Sequence, residues 1–123
     1  MEEFQASKPI YWQIVDRICH QIVRGEIQPG EKLPSVREMA IQTGVNPNTV
    51  QRTYSELERM AIVESKRGQG TFVTEAKDII IELKSRLQRE IIEVFVNNMK
   101  ELGYTKEEMI IGLKNFVEKE DRG

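Results

Sequence analysis

The segment VNPNTVQRTY, residues 45–54, carries amide, hydroxyl and guanidinium side chains in a pattern that predicts a helix with one strongly polar side. Asn46 can accept hydrogen bonds from the free amides of the first turn, and Pro47 lacks only an amide hydrogen that would be unpaired there anyway. The apolar stripe of this helix is Val50, Tyr54, Leu57 and Ala61. The side chains outside the stripe are Asn48, Thr49, Gln51, Arg52 and Ser55. Either solvent or a polar partner can satisfy their hydrogen-bonding groups.

Side chains suited to catalysis do not converge in the sequence. His20, the only histidine, is adjacent to Cys19, the only cysteine, and adjacent side chains on a helix diverge by about 100 degrees. They are therefore poorly placed to share one nucleophilic site. The sequence has no phosphate-binding loop, no dinucleotide glycine signature and no Cys/His metal spacing. We expect no enzyme, no catalytic or metal-binding residues and no tightly bound cofactor.

Length and composition indicate a small globular protein. The 123 residues suffice for one small core with a helical appendage, and not for two large domains. No apolar run approaches the roughly 18 residues of a membrane helix, and the amino-terminal MEEFQASK has no targeting pattern. The single cysteine precludes an internal disulfide, which agrees with a reducing compartment. The sequence predicts a cytoplasmic protein.

The overall charge does not by itself indicate a nucleic-acid partner. Residues 1–75 contain nine Lys and Arg against ten Asp and Glu, and residues 76–123 contain the same numbers. Binding to phosphates depends on local cations rather than on the net charge of −2. Any such binding therefore requires cations that are concentrated on one face.

Two further helices are predicted before the segment that begins at residue 45. The first begins around Pro9, repeats apolar residues at Tyr11, Ile14, Ile18 and Ile22, and ends at Gly25. After an extended connection, Ser35 and Glu38 have the spacing of a capping box and begin the second helix, which buries Val36, Met39 and Ala40. Gly44 ends it. A joint of three to four residues that contains glycine then predicts a helix-turn-helix.

Residues 62–74, IVESKRGQGTFVT, predict a short β-hairpin. Apolar or β-branched residues flank the tip KRGQG, where two glycines permit positive backbone dihedral angles. Lys66 and Arg67 lie beside this turn. A helix, a helix-turn-helix and a two-stranded hairpin, in that order, make a winged helix.

From residue 75 onward the sequence predicts two amphipathic helices. The first has about 25 residues and ends at Gly103, and the second begins with another capping-box pair, Thr105 and Glu108. The long helix is too apolar to stand alone in water, which favours a homodimer. The residues expected to face the partner are Ile80, Leu83, Leu87, Ile91, Val94 and Met99. Two helices of this length are not expected to enclose a drug-sized cavity of several hundred cubic ångströms.

The motifs LPSVREMA, GVNPNTVQRTYSELERM and IVESKRGQGTFV, in this order over residues 8–74, resemble the amino-terminal winged helix of GntR-type bacterial transcription regulators. The run from Asn46 to Val50, followed by a short carboxy-terminal segment, looks most like the YtrA subfamily. Many GntR relatives have a basic residue at the position of Pro47. This departure removes any base contact that the family assigns there.

The resemblance implies binding to double-stranded DNA, with the third helix in the major groove. Asn and Gln can pair with adenine and Arg with guanine, while glycine and cations suit the approach of a wing to the minor groove or backbone. The DNA-binding residues that it implies are Arg37, Asn48, Thr49, Gln51, Arg52, Lys66, Arg67, Gly68 and Gln69.

Each of these assignments has a structural alternative. Arg37 can pair with Glu38 or Glu31 on the surface, and Arg52 can be a solvated helix residue. Arg59, near several acidic residues, is expected to be a surface charge, and Tyr54 a core residue with its hydroxyl at the edge.

These observations predict a mainly α protein with a small β-hairpin. We expect a winged helix-turn-helix domain at residues 1–74 and a two-helix dimerisation segment at residues 75–123. The function expected is that of a transcription regulator, a repressor, that binds an inverted-repeat operator as a homodimer. The alternative is a winged-helix module that binds protein and has no specific DNA binding. The sequence identifies neither an operator nor a small-molecule effector.

Overall fold

The computed structural model describes residues 8–122, so that most of the amino-terminal segment MEEFQASK lies outside the described residues. The elements in chain order are α1 (Ile10–Val23), α2 (Val36–Thr43), α3 (Pro47–Arg59), β1 (Val63–Lys66), β2 (Gly70–Val73), α4 (Lys77–Glu101) and α5 (Lys106–Arg122). The chain divides into two compact units, and the boundary falls within α4, between Lys84 and Ser85. The predicted fold class, mainly helical with one hairpin, is confirmed.

In the first unit, α3 is the central element, because α1, α2 and β1 all pack against it. The buried side chains recur on one side of each helix, as the apolar spacing predicts. They include Ile14, Ile18, Val50, Leu57, Val63 and Val73. Burial of this side leaves the opposite side of α3 open.

The helix ends of the helix-turn-helix have the predicted caps. The Ser35 hydroxyl accepts a hydrogen bond from the Glu38 amide at 3.1 Å, and the Glu38 carboxylate accepts one from the Ser35 amide at 2.8 Å. Gly44 ends α2 with φ of 70°, a conformation that favours glycine. The Asn46 side chain accepts a hydrogen bond from the Asn48 amide at 2.8 Å. These caps fix the start of α3 relative to α2.

The predicted apolar stripe of α3 is wrong at its last position. The helix ends at Arg59, and Ala61 lies beyond it, exposed and with φ of 63°. Thr53, which is outside the predicted stripe, is fully buried, and its single hydroxyl proton is shared between the Tyr11 carbonyl at 3.0 Å and the Thr49 carbonyl at 3.1 Å. Burial of a hydroxyl that has hydrogen-bond partners costs little free energy, so a polar threonine can occupy a core position.

The second helix also differs from its predicted core. Ala40 is buried, but Val36 and Met39 are only half-buried, while Thr43 is buried. The Thr43 hydroxyl donates to the Met39 carbonyl one turn earlier at 2.8 Å. Because α2 is only eight residues long, few of its side chains reach the core.

A third extended segment, which the sequence does not predict to be paired, lies beside β2 of the hairpin. β1 and β2 are antiparallel, with Lys66 opposite Gly70. Lys32 forms a bridge opposite Phe72, and the Leu33 amide donates to the Thr71 carbonyl at 2.8 Å. The connection before α2 is therefore attached to the outer edge of β2.

In the second unit, α5 begins as predicted. The Thr105 amide donates to the Glu108 carboxylate at 2.9 Å, and the Glu108 amide donates to the Thr105 hydroxyl at 3.2 Å. Both hydrogen bonds of the capping box are thus present. Helix α5 is therefore anchored at its first turn.

Candidate nucleic-acid interface

The open side of α3 presents polar and charged side chains. Asn48, Gln51 and Arg52 are exposed, and Thr49 is half-buried. The Gln51 amide lies 3.5 Å from the Ser55 hydroxyl, a long contact along the same helix. No large apolar residue of α3 is exposed. This polar side, which we call the α3 face, offers amide and guanidinium groups to a partner.

Arg52 lies on the α1 side of α3. Its guanidinium carbon is 3.9 Å from the centroid of the Tyr11 ring, which is a cation–π contact. Its charge also helps to keep the pKa of the Glu56 carboxyl below its usual range, although Arg59 has the larger effect. Arg52 is therefore partly ordered before any partner binds.

Arg37 is an exposed residue on the first turn of α2. Neither Glu38 nor Glu31 forms an ion pair with it, and it makes no hydrogen bond with any residue from 8 to 122. Glu38 instead serves the capping box, and the hydrogen bond from the Ser35 amide is the main reason that the pKa of Glu38 is lowered. The guanidinium of Arg37 thus retains its donors.

The wing, residues 66–70, is a tight tip flanked by cations. The Gln69 amide donates to the Lys66 carbonyl at 2.8 Å and closes the turn. Lys66 Nζ lies over the Phe72 ring, 4.7 Å from its centroid, while Arg67 is exposed and has no ion pair within the described part of the chain. Gly68 adopts φ of 76° with open space around it. The wing therefore presents both charge and accessible backbone.

Lys32 is a further cation at the wing that the sequence motifs do not indicate. A Cβ at Gly70, whose φ is 124°, would lie only 2.7 Å from the Lys32 Cε atom, so the lysine stem passes directly over this glycine. The charge of Lys32 also contributes to the lowered pKa of Glu38. Lys32 thus lies between the wing and the start of α2. The signal available in the sequence was its place in an extended segment, but nothing local indicated the pairing with β2.

Two neighbouring residues have the structural roles expected of them. Arg59 forms an ion pair with Glu56, which raises the pKa of Arg59. Tyr54 is buried, and its hydroxyl donates to the Pro34 carbonyl at 2.5 Å. Burial raises the pKa of Tyr54 to about 12. Neither side chain is free to recognise a partner.

The second unit has a different surface, an apolar groove between α4 and α5. The groove has a volume of about 540 Å³ and is lined by Ile91, Ile92, Phe95, Val96, Lys106, Met109, Ile110 and Leu113. It is open, since Ile91 and Ile110 remain 64% and 68% exposed. Two helices therefore form an open concavity of several hundred cubic ångströms, which they do not enclose.

The residues predicted to face a dimer partner differ in their exposure within the single chain. Ile91 and Val94 are largely exposed, and Ile80, Leu87 and Met99 are half-buried. Leu83 does not fit that expectation, because it is only 3% exposed within the single chain. Its side chain therefore has little accessible surface that a second copy could bury.

Within residues 8–122, no cluster of three or more His, Cys, Asp or Glu side chains is arranged to hold a metal ion. No helix in the same range is long and apolar enough to cross a membrane.

Sequence comparisons agree with the geometry. The model of the family "Bacterial regulatory proteins, gntR family" matches residues 10–73. The chain is 65% identical to the HTH-type transcriptional regulator YhcF of Bacillus subtilis, over 94% of this chain and 96% of YhcF. It is 42% identical to the HTH-type transcriptional repressor YtrA of the same species, over 75% of this chain and 72% of YtrA.

Solved structures extend this similarity to the fold. A GntR family transcriptional regulator from Listeria monocytogenes superposes with a TM-score of 0.86 at 44% identity, covering 91% of this chain and 98% of that one. The DNA-binding domain of AraR in complex with operator ORR3 superposes with a TM-score of 0.53 at 32% identity, covering 60% of this chain and 87% of that one.

These matches confirm the predicted winged helix and the family resemblance. Members of this family are regulatory proteins, so the matches also confirm the expectation that the chain is not an enzyme. The chain belongs to the GntR family of bacterial regulatory proteins and, within it, to the YtrA-like subfamily.

Proposed function

We propose that this protein is a transcriptional repressor that binds an inverted-repeat DNA operator as a homodimer. Residues 1–74 would bind the DNA, and residues 75–123 would join the two copies. The observation that carries the proposal is the α3 face, where polar and cationic side chains, and no large apolar ones, are exposed beside a cationic wing. The operator complex of AraR and the similarity to YtrA, a transcriptional repressor, support it.

The side chains of the α3 face match the chemistry of the major groove. Asn48 and Gln51 can donate to and accept from adenine, and Arg52 can donate to guanine or to phosphate. Thr49, half-buried, has only its hydroxyl to offer. Because α3 begins at the capped joint after α2, its first turns are held rigidly for docking.

Cations outside α3 supply the contacts to the DNA backbone. Arg37, Lys66 and Arg67 are exposed, and Lys32 lies beside the wing. Gly68 and Gln69 at the tip allow the wing to approach a groove closely. The chain has a net charge of −2, so attraction to phosphates depends on this local arrangement.

The homodimer is proposed from the apolar surface of α4 and α5. Several large apolar side chains there are about half exposed or more in the single chain, including Ile91, Val94, Ile110, Phe116 and Val117. Monomeric proteins rarely leave so many adjacent apolar residues in water. A second copy, related by a twofold axis, covers the same surface on both chains and places two α3 helices on one DNA duplex.

A salt titration tests whether the protein binds DNA at all. Binding to a fluorescent 30-base-pair duplex of random sequence is measured by anisotropy between about 50 and 200 mM salt. We expect affinity to fall steeply with salt, because bound lysines and arginines displace counterions from phosphates. Absence of binding at the lowest salt would refute the proposal and favour a protein-binding winged helix.

A further inference from the structure

Tyr11 of α1 and Arg52 of α3 form a contact at the edge of the α3 face. The Arg52 guanidinium carbon lies over the Tyr11 ring, 3.9 Å from its centroid. Tyr11 is half-buried, whereas Arg52 is exposed. The aromatic ring therefore belongs to the first unit's packed body, and the cation that it holds belongs to the surface.

The backbone and the ring of Tyr11 are both restrained by neighbouring residues. The buried Thr53 hydroxyl donates to the Tyr11 carbonyl at 3.0 Å, which ties this turn of α1 to α3 next to Arg52. The neighbouring Trp12 ring stands edge-on to the Tyr11 ring, with 6.2 Å between centroids and 82° between planes. Tyr11 thus has little freedom to move when Arg52 binds a partner.

The contact leaves the donors of Arg52 available. An aromatic ring interacts with the face of a guanidinium, and the N–H groups around its rim stay free. Within residues 8–122, Arg52 forms no hydrogen bond and no ion pair, whereas Arg59 on the same helix is held by Glu56. A cation that is ordered but unpaired loses less side-chain entropy on binding than a free one.

We infer that Tyr11 is a positioning residue for DNA recognition, which holds the Arg52 guanidinium ready to donate to an acceptor on the operator. The inference rests on the proposed function, since it assigns a role in DNA binding to a residue of α1. Tyr11 itself touches no DNA in this arrangement and acts only through Arg52.

A double-mutant cycle tests the coupling of the two residues. The parent, Tyr11→Leu, Arg52→Ala and the double variant are titrated against a duplex selected by the parent. We expect Arg52→Ala to weaken binding about tenfold and Tyr11→Leu about threefold to fivefold. In the Arg52→Ala background, Tyr11→Leu should change the affinity by less than about twofold, because the group that it positions is absent.

Controls separate positioning from folding. Tyr11→Phe keeps the ring and should bind like the parent. Each variant's thermal unfolding is measured first, and Tyr11→Met replaces Tyr11→Leu if the latter is unfolded at the temperature of the titration. A loss of affinity by the same factor in both backgrounds would overturn the inference while leaving DNA binding intact. A parent that prefers no duplex over any other would overturn the inference together with the proposed function.

Discussion

The Tyr54 hydroxyl is a buried group whose hydrogen bond links α3 to the segment before α2. It donates to the Pro34 carbonyl at 2.5 Å. Burial, and secondarily the charge of Glu38, raises its pKa to about 12 from the usual value near 10. The folded protein therefore favours the neutral phenol, which alone can donate this hydrogen bond.

This shift predicts a difference in stability that depends on pH. Because the pKa of Tyr54 is raised in the folded state, the stabilisation that its neutral hydroxyl provides is fully present below pH 10 and is lost as pH rises through about 12. We expect Tyr54→Phe to cost about 1 kcal/mol at pH 8, since the Pro34 carbonyl loses its donor. Urea denaturation of both proteins between pH 8 and 12 should show that the difference in their free energies of unfolding decreases as the pH rises. A constant gap would mean that Tyr54 titrates normally.

Substitution of Arg37 or Arg67 tests how much a single cation contributes to DNA binding. Both are exposed and have no ion pair within residues 8–122, so Arg37→Ala and Arg67→Ala should weaken binding without unfolding the protein. A lost phosphate contact lowers the salt slope by about one per site, whereas a lost base contact relaxes sequence preference at one position.

The matched control for these variants is Arg59→Ala. Arg59 already pairs with Glu56, so its removal should leave DNA affinity nearly unchanged. The variants are compared by anisotropy titrations across a salt series. Parental affinity of both Arg37→Ala and Arg67→Ala would show that the DNA face has been placed wrongly.

At the scale of elements, the end of α3 carries a residue with a strained backbone. The Ala61 amide donates to the Glu58 carbonyl at 2.9 Å, and the Ile62 amide donates to the Leu57 carbonyl at 3.0 Å. These are the two hydrogen bonds of a Schellman motif, whose left-handed position usually holds glycine. Ala61 occupies that position with φ of 63°.

Ala61→Gly should therefore stabilise the protein by about 0.5–1 kcal/mol, because glycine adopts this conformation without a steric penalty. The opposite sign is expected for Ala40→Gly, a change at a buried position inside α2, which should destabilise by about 1 kcal/mol. Urea denaturation measures both changes. If Ala61→Gly is neutral or destabilising, the backbone at the end of α3 differs from the one described.

The same helix end shows why part of the fold could not be predicted from sequence. Local signals were sufficient for the caps at Ser35, Gly44 and Asn46, because the residues that make these hydrogen bonds lie within a few positions of each other. Spacing alone extended α3 to Ala61, since no glycine marks its end. The helix instead ends at the Schellman motif with alanine in the left-handed position, and the burial of Thr53 against α1 depends on tertiary packing, which local spacing does not encode.

The residues of the candidate site also differ in whether the sequence indicates them. Its residues in α2, α3 and the wing could be assigned because their motifs are contiguous in the sequence. Lys32 was missed because its partner across the bridge, Phe72, lies 40 residues away. The apolar spacing of α1 predicts only a core position for Tyr11, because nothing in α1 reveals that Arg52 lies over its ring.

At the scale of the whole molecule, the exposed apolar side chains of α4 and α5 predict the oligomeric state. We expect sedimentation at micromolar concentration to give twice the chain mass of 14.3 kDa. Ile110→Lys should shift the protein toward monomer, because a charge in an apolar interface is costly to desolvate.

Ile41→Lys is the matched control, since Ile41 is 76% exposed on α2, outside the proposed interface, and Ile110 is 68% exposed. It should leave the sedimentation profile unchanged. A parental protein that sediments as a monomer at these concentrations would exclude the proposed dimer.

Selection of bound duplexes from a random-sequence pool tests the central proposal most directly. A homodimer with one α3 per half-site should enrich an inverted repeat whose half-site centres lie about one helical turn, roughly 34 Å, apart. The Arg59→Ala variant should enrich the same sequence, because its side chain is paired with Glu56. Recovery of a single asymmetric site, or of no common sequence, would contradict the proposal that this protein is a dimeric, sequence-specific regulator.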